Sequence, residues 1–537
     1  MVSRKQLILI LAVAPVFAQP RFYEDDPLAR EPVPHTVKEV AIRKIDDLYS
    51  FLENSYVTPR REGREARRSP RRALDVNTLG EVPDNAWYTN RHAFRRLSIA
   101  ELERGPGNST PPSPGDSWRI VGAKTDGVTP GFIIEDRNGS RYMLKLDPPQ
   151  HPELCSAADV IGSKLFYALG YNTPENYVVF FRRENLIIPA GVEYRDPEGR
   201  KRPLTEHVLS ELLSGQRKSA NGMYRAAASR WIGGEVVGPF SYRGVRTDDP
   251  NDTVPHEDRR MLRGLAVFSA WLNHHDSRSI NTMDALVEEG GRRYLKHYLL
   301  DFGSILGSAG YAPKEPWIGH RYVIDQVGTA KGLMTLGFIP PRWARADYPK
   351  LMGVGLFDSR SFEPLSWKSF YPNPAFLMMD DADAFWAAKQ VAAFTEDEIR
   401  AIVRTGKYSD PRAEAWIADC LIERRKKLID AWFARVLPLD RFRLEGGRLA
   451  FDDLGVRYGV TEARDYRVEW SVFDNSRQER IPITGASGLA LPLPPAGTQY
   501  LAATISCRVG SREACPGALT VYLRRANSRI ELVGIDR

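Results

Sequence analysis

The sequence is short of cysteine, of one-sided charge, of internal repeats and, after its first twenty residues, of long apolar runs. Each shortage excludes something. The four cysteines, Cys155, Cys420, Cys507 and Cys515, do not have zinc-site spacing. Only Cys507 and Cys515 lie close together, around a short loop in a β-like region. In an exported chain that pair is expected to form a disulfide. No stretch beyond Phe17 has the length and apolarity of a membrane span. The 75 basic and 68 acidic residues leave a net charge of +7, mild for 537 residues, so no specific nucleic-acid partner is expected. A hydrophobic content of 42% with 27% charged residues excludes a disordered chain. The length implies two or three domains, since one core rarely grows so large.

The N-terminus is distinct. Arg4 and Lys5 precede an apolar run over residues 7–17, and Val16-Phe17-Ala18 suits a cleavage site. Residues 1–18 read as a signal peptide, which places the mature chain outside the cell, in the periplasm or in the cell envelope. An uncleaved N-terminal anchor is the alternative. Residues 19–114 read as an N-terminal extension. Its arginines, Arg60, Arg61, Arg64, Arg67, Arg68, Arg71 and Arg72, read as a solvated linker or else a patch for a polyanion.

Three short strands are expected over residues 118–146, with a hairpin turn at Asp136-Arg137-Asn138-Gly139. A helix over 152–169 carries Ala158, Ile161, Leu165 and Leu169 on one face and stops at Gly170. Strands at 177–181 and 186–188 follow. From about residue 200 the pattern is mainly helical. Leu262, Leu265, Phe268 and Leu272 mark a helix over 256–273. Thr395 and Glu398 form a capping box, and Asp410 with Pro411 opens a helix to about Val436. Beyond Pro438, short alternating segments with Gly/Pro turns read as a small β-sandwich over 438–537.

The chemistry sits in the middle. His274-His275-Asp276 and, five residues after the aspartate, Asn281 fit H-x-D-x-x-x-x-N. Asp301-Phe302-Gly303 comes twenty residues after Asn281, at the end of an apolar strand. Together these resemble the catalytic loop and DFG motif of the protein-kinase superfamily, and most nearly its divergent bacterial HipA-like and CotH-like groups. The resemblance covers residues 115–437. It implies an α+β, two-lobed fold: a β-rich N-lobe over 115–195 and a helical C-lobe over 196–437, followed by the β-sandwich. It implies ATP and Mg as cofactors. Asp276 becomes the catalytic base, and Asn281 and Asp301 the metal ligands. Lys145, on the third strand, becomes the catalytic lysine that binds the nucleotide phosphates. Asp159 is the first choice for its carboxylate partner and Glu153 the second. Gly127 belongs to the nucleotide turn between the first two strands, although Gly122, Gly127 and Gly131 depart from G-x-G-x-x-G. Gly303 is expected to let the chain turn sharply. No A-P-E element follows; Ala312-Pro313-Lys314-Glu315 lies too close to the DFG to be one.

The implied function is phosphoryl transfer from ATP to a hydroxyl acceptor, either a protein or a small molecule. Two alternatives stand beside it. One is a non-catalytic scaffold at the envelope whose C-terminal domain contacts a protein or an envelope component. The other is AMP transfer in the same cleft. The acid- and arginine-rich stretch over 246–263 reads as a capped turn, with Asp252 or Thr253 as the cap, or as part of an acceptor site with Arg259, Arg260 and Arg263. His274 and His275 lack a third metal ligand and read as structural.

Overall fold

The computed structural model describes residues 19–107, 110–123, 131–195, 200–325, 328, 334, 341–346, 348–509, 513–514, 516–526 and 529–537. The expected signal peptide, Gly127 and Cys515 lie outside the described residues.

The extension is a strap packed on the rest of the chain. Phe22 is buried among the rings of Phe473, Tyr500 and Tyr522. Val37 N donates to Arg293 O (2.7 Å) and Arg43 N to Val237 O (2.8 Å). Helix α1 (Asp47–Leu52) then leads through a π-helical turn (Glu53–Val57) into α2 (Thr58–Arg68), and α3 (Ile99–Arg104) follows a Ser98–Glu101 capping box. The arginine cluster therefore lies on and just after a packed helix and is not a linker. Pro59 starts that helix, and Glu62 and Glu65 give the arginines partners. Arg72 reaches Asp536 at 2.9 Å.

Strands β1 (Trp118–Ala123), β2 (Gly131–Glu135) and β3 (Arg141–Leu146) are antiparallel, as expected. Helix α4 (Leu154–Ala168) follows, then β4 (Asn176–Phe181), β5 (Leu186–Ile187) and a small hairpin of β6 (Glu193–Arg195) and β7 (Lys201–Pro203). Next come α5 (Glu206–Ser214), β8 (Tyr224–Arg230) and β9 (Glu235–Gly238). The main sheet has the order β4-β8-β3-β2-β1-β5. Its sixth member, β8, lies beyond residue 195, inside the stretch expected to be mainly helical. The Ala226-Ala227-Ala228 run carries no β-branched signal; it suits a strand whose small side chains sit between two neighbours. Alternation along β3 buries Tyr142, Leu144 and Leu146 in the core shared with Leu209 and Leu213 of α5. Lys145 consequently points to the other face.

The largest core joins α4 to α6 (Arg260–Leu272) and to four later helices. These are α7 (Pro374–Met378), α8 (Asp381–Ala392), α9 (Glu396–Arg404) and α10 (Pro411–Phe433). The capping box at Thr395 and Glu398 and the Asp410 cap are present. Between α6 and α7, β10 (Thr282–Glu289) and β11 (Arg292–Leu299) form a regular hairpin flanked by β9.

The C-terminal part contains the hairpin β12 (Leu439–Glu445) and β13 (Arg448–Asp453), a short α11 (Leu454–Arg457) and a sheet. That sheet is built from β14 (Asp465–Asp474), β15 (Glu479–Ser487), β16 (Tyr500–Val509), β17 (Glu513–Ala514), β18 (Leu519–Ala526) and β19 (Arg529–Asp536). One face packs Val468, Trp470 and Ile505 against Leu439 and Leu449 of the hairpin. The strap residue Phe22 covers the other. Cys507 is disulfide-bonded, and Cys155 and Cys420 are free thiols. The chain is thus of mixed α+β class. Among the described residues no helix is long and apolar enough to cross a membrane.

Candidate functional site

Lys145 and α4 define the first half of the site. The Lys145 ammonium lies 3.2 Å from Asp159 Oδ2 and 2.8 Å from Asp301 Oδ1. Burial pulls the ammonium down, but Asp159 and Asp301 outweigh it and hold the group above its ordinary value. Burial raises the Asp159 carboxyl, with Lys145 opposing. Asp159 is buried in α4, and its Oδ1 accepts a hydrogen bond from Phe302 N (2.9 Å). One carboxylate therefore ties the sheet lysine to the D-F-G segment. Asp159, the first choice, is the partner of Lys145. Glu153 is not: it sits before α4 with a φ of +68°, and its carboxylate accepts from Ser409 N at 2.9 Å.

The D-F-G segment has a different local logic from the one expected. The left-handed residue is Asp301 itself, with a φ of +55°, which a short polar side chain tolerates. Phe302 is buried and stacks on Phe166, with ring centroids 5.0 Å apart. A Cβ on Gly162 would meet Phe302 Cβ at 2.5 Å. Gly303 has no left-handed φ; a Cβ there would lie 2.7 Å from Cys155 Sγ. It serves close packing, not a sharp turn.

The second half is the loop after α6. Asn273, with a φ of +52°, ends the helix, and His274 N returns to Ser269 O at 2.7 Å. The buried Lys314 and Arg424 satisfy the helix-end carbonyls: Lys314 donates to Asn273 O, and Arg424 to Ala270 O (2.6 Å) and Trp271 O (2.8 Å). Burial drives His274 down to about 3 and His275 well below its usual value, with Lys314 adding to both. Both rings are neutral and buried. Among the described residues no group of three His, Cys, Asp or Glu side chains is placed to hold a metal.

Asp276 is held from both sides. Asn281 Nδ2 donates to its Oδ2 and its carbonyl, each at 2.8 Å, and Arg278 Nε pairs with its Oδ1. Burial raises the Asp276 carboxyl; Arg278 opposes. Asn281 O accepts from Leu300 N at 2.9 Å, one step past the Thr282–Leu299 pair of the β10–β11 ladder. This bond sets Asn281 beside the residue that precedes Asp301. The amide nitrogen of Asn281 is turned to Asp276. The Asp301 side chain is 51% exposed. A neutral amide oxygen and an accessible carboxylate are hard donors suited to Mg, which completes its shell from phosphates and water.

Arg278 and its second partner were not singled out in the sequence. Arg278 Nη1 lies 3.1 Å from both carboxylate oxygens of Asp47 on α1. No local motif signals a contact across 231 positions. The 246–263 stretch does not shape this site through its acids. Asp252 does not cap α6; it binds His256 (2.7 Å) and Arg259 (2.8 Å). Arg260 and Arg263 pair with Asp383 at 2.8 and 3.2 Å. Asp248 accepts from Ala41 N (2.8 Å) and Asn251 from His35 N (2.7 Å), which anchors the strap.

No protein-family model matches the chain, and no curated protein matches it. Among solved structures, the chain is similar to the Helicobacter pylori proinflammatory kinase CtkA, at 13% identity over 60% of this chain and 98% of that one, with a TM-score of 0.34. It is also similar to the Golgi casein kinase, at 10% identity over 75% of this chain and 95% of that one, with a TM-score of 0.27. A form of that kinase with Mn/ADP bound gives 9% identity over 75% and 96%, with a TM-score of 0.24. The functional reading below rests on the geometry of the site.

Proposed function

We propose that the chain is a two-lobed, protein-kinase-like phosphotransferase of the divergent HipA-like or CotH-like kind, exported to the envelope or beyond, that transfers the γ-phosphoryl group of ATP to a hydroxyl acceptor. The observation that supports it is convergence. Lys145 on the sheet, Asp159 on α4 and Asp301 after β11 meet through ion pairs. Asn281 and Asp276, from the loop before β10, are tied to the same strand end.

Lys145 is the group that binds the nucleotide phosphates, with Asp159 fixing its position. Asn281 Oδ1 and the Asp301 carboxylate are the donors that would hold Mg, which when bound would supply positive charge against the phosphates. Asp276 orients the acceptor hydroxyl and takes its proton as the acceptor oxygen bonds to phosphorus and the bond to the ADP oxygen breaks. Its raised carboxyl makes it a better proton acceptor than an ordinary surface aspartate. Arg278 keeps that carboxylate oriented.

Thermal-shift titration with ATP and Mg tests the nucleotide reading: stabilisation is expected, and none at millimolar nucleotide would refute it. Mass spectrometry of the products separates added phosphate from added AMP.

A further inference from the structure

Beside Asp276 lies a cleft of about 380 Å³, within the size range of small-ligand sites. Ser277, Arg278 and Ser279 line one side of it, and the strap and α1 line another. Arg278 spans the two, touching Asp276 with Nε and Asp47 with Nη1. The lining includes polar side chains that are themselves buried, among them Tyr242, Tyr371 and Asn373.

The charges of this cleft are unevenly spent. Its cations are Arg43, Lys44, Arg243 and Arg278, and its acids are Asp46 and Glu53. Arg243 pairs with Glu53 and Glu62, and Arg278 with Asp276 and Asp47. Asp46 caps α1 through Tyr49 N at 2.8 Å. Arg43 and Lys44 pair with no acid among the described residues. The Arg43 backbone is held in place: its N donates to Val237 O, and its O lies 1.9 Å from where a Cβ on Gly238 would stand. Two cations without an acidic partner among the described residues thus line a cleft whose other wall is the segment just after the proposed base.

We propose that this cleft is the acceptor site and that it takes a small hydroxyl compound carrying an acidic group. The inference rests on the phosphotransferase reading. The hydroxyl lies toward Asp276, where its oxygen bonds to the γ-phosphorus, its proton passes to Asp276 and ADP leaves. The acidic group meets Arg43 and Lys44 through charge-assisted contacts, which discriminate against a neutral analogue. The strap is then part of the enzyme's specificity, and an acceptor with no negative charge is a poor one.

The test uses the full chain, ATP and Mg, with two matched probe pairs: glucose against glucuronate, and glycerol against glycerate. ADP formation is expected to favour the acidic member by about tenfold in kcat/KM, a difference of one charge-assisted contact. Arg43→Gln with Lys44→Gln should erase that preference through KM. A second measurement needs no variant and no turnover. Acylation of the Lys44 amine, mapped by mass spectrometry, should be slowed by glucuronate or glycerate and not by glucose or glycerol. Lys44 protected without ADP formation would support the anion-binding cleft and remove the phosphotransferase reading. ADP formation indifferent to acceptor charge, or Lys44 unprotected by either acid, would overturn the acceptor proposal and leave phosphoryl transfer standing.

Discussion

Two regions of this molecule bury paired charges, and they do so to different ends. Under the strap, Arg246 pairs with Asp284, and Asp284 with His297; Arg263 pairs with Asp258 and Asp383. These side chains are at most 3% exposed. At the Lys145 site, Asp159 is equally buried, but Asp301 is half exposed. Charge density alone therefore does not mark a functional site. What separates the two is access: the Asp301 carboxylate is half exposed, whereas the acids under the strap are sealed from solvent. A closed network resists opening; an open one keeps groups for something else.

That contrast is broken most severely at Asp276. Asp276→Ala is expected to lower turnover by about 10²–10⁴-fold while the nucleotide-dependent thermal shift survives. ADP formation measures the first and melting the second; unchanged turnover would remove the assigned role. In the closed network the effect should fall on stability instead. Asp383→Ala leaves Arg260 buried without its carboxylate and Arg263 with Asp258 alone, and should cost about 3–5 kcal/mol, read as a lower urea midpoint. The fraction that remains folded should still bind nucleotide.

A smaller effect belongs to the neutral histidines behind Asp276. The folded state holds His274 down at about 3, against an ordinary value of 6.5. The unfolded chain thus binds more protons between those limits. The stability this neutral ring contributes is complete above pH 6.5 and erodes as pH falls toward 3. Between pH 7 and pH 5 the loss for this group is about 2 kcal/mol, and urea unfolding of His274→Gln should show a flatter pH dependence than the parent. Smallest is Gly303→Ala, which should destabilise by about 1–2 kcal/mol through Cys155. Adding Cys155→Ala should recover part of it. No recovery would show that Gly303 is needed for its backbone and not for its contact.

Much of the site was legible because its parts are local. Spacing pointed to Asp276, Asn281 and Asp301, and a place on the third strand pointed to Lys145. Asp159 followed from its mid-helix position on the helix after that strand. Glu153, only six residues earlier, failed because the chain takes a left-handed turn there, which nothing in its neighbourhood announces. Strand β8 was hidden by its alanines. The strap was hidden by distance: an arginine-rich stretch looks solvated until its partners, far along the chain, are known. Asp47 and Arg278 illustrate the same blindness at the site itself.

The strap also carries a consequence in time. Phe22 is synthesised long before Phe473, Tyr500 and Tyr522, and Arg72 long before Asp536. A growing chain therefore holds Phe22 unpartnered until strands β14, β16 and β18 have been made, and Arg72 without its carboxylate until β19 follows. Closing so long a loop carries an entropic cost that only the finished sheet repays. A ribosome that stalls before strand β14 releases a protein in which Phe22 has no ring to pack against. Synthesis of the C-terminal sheet, not merely folding of the central part, is then the event that fastens the first span of the strap.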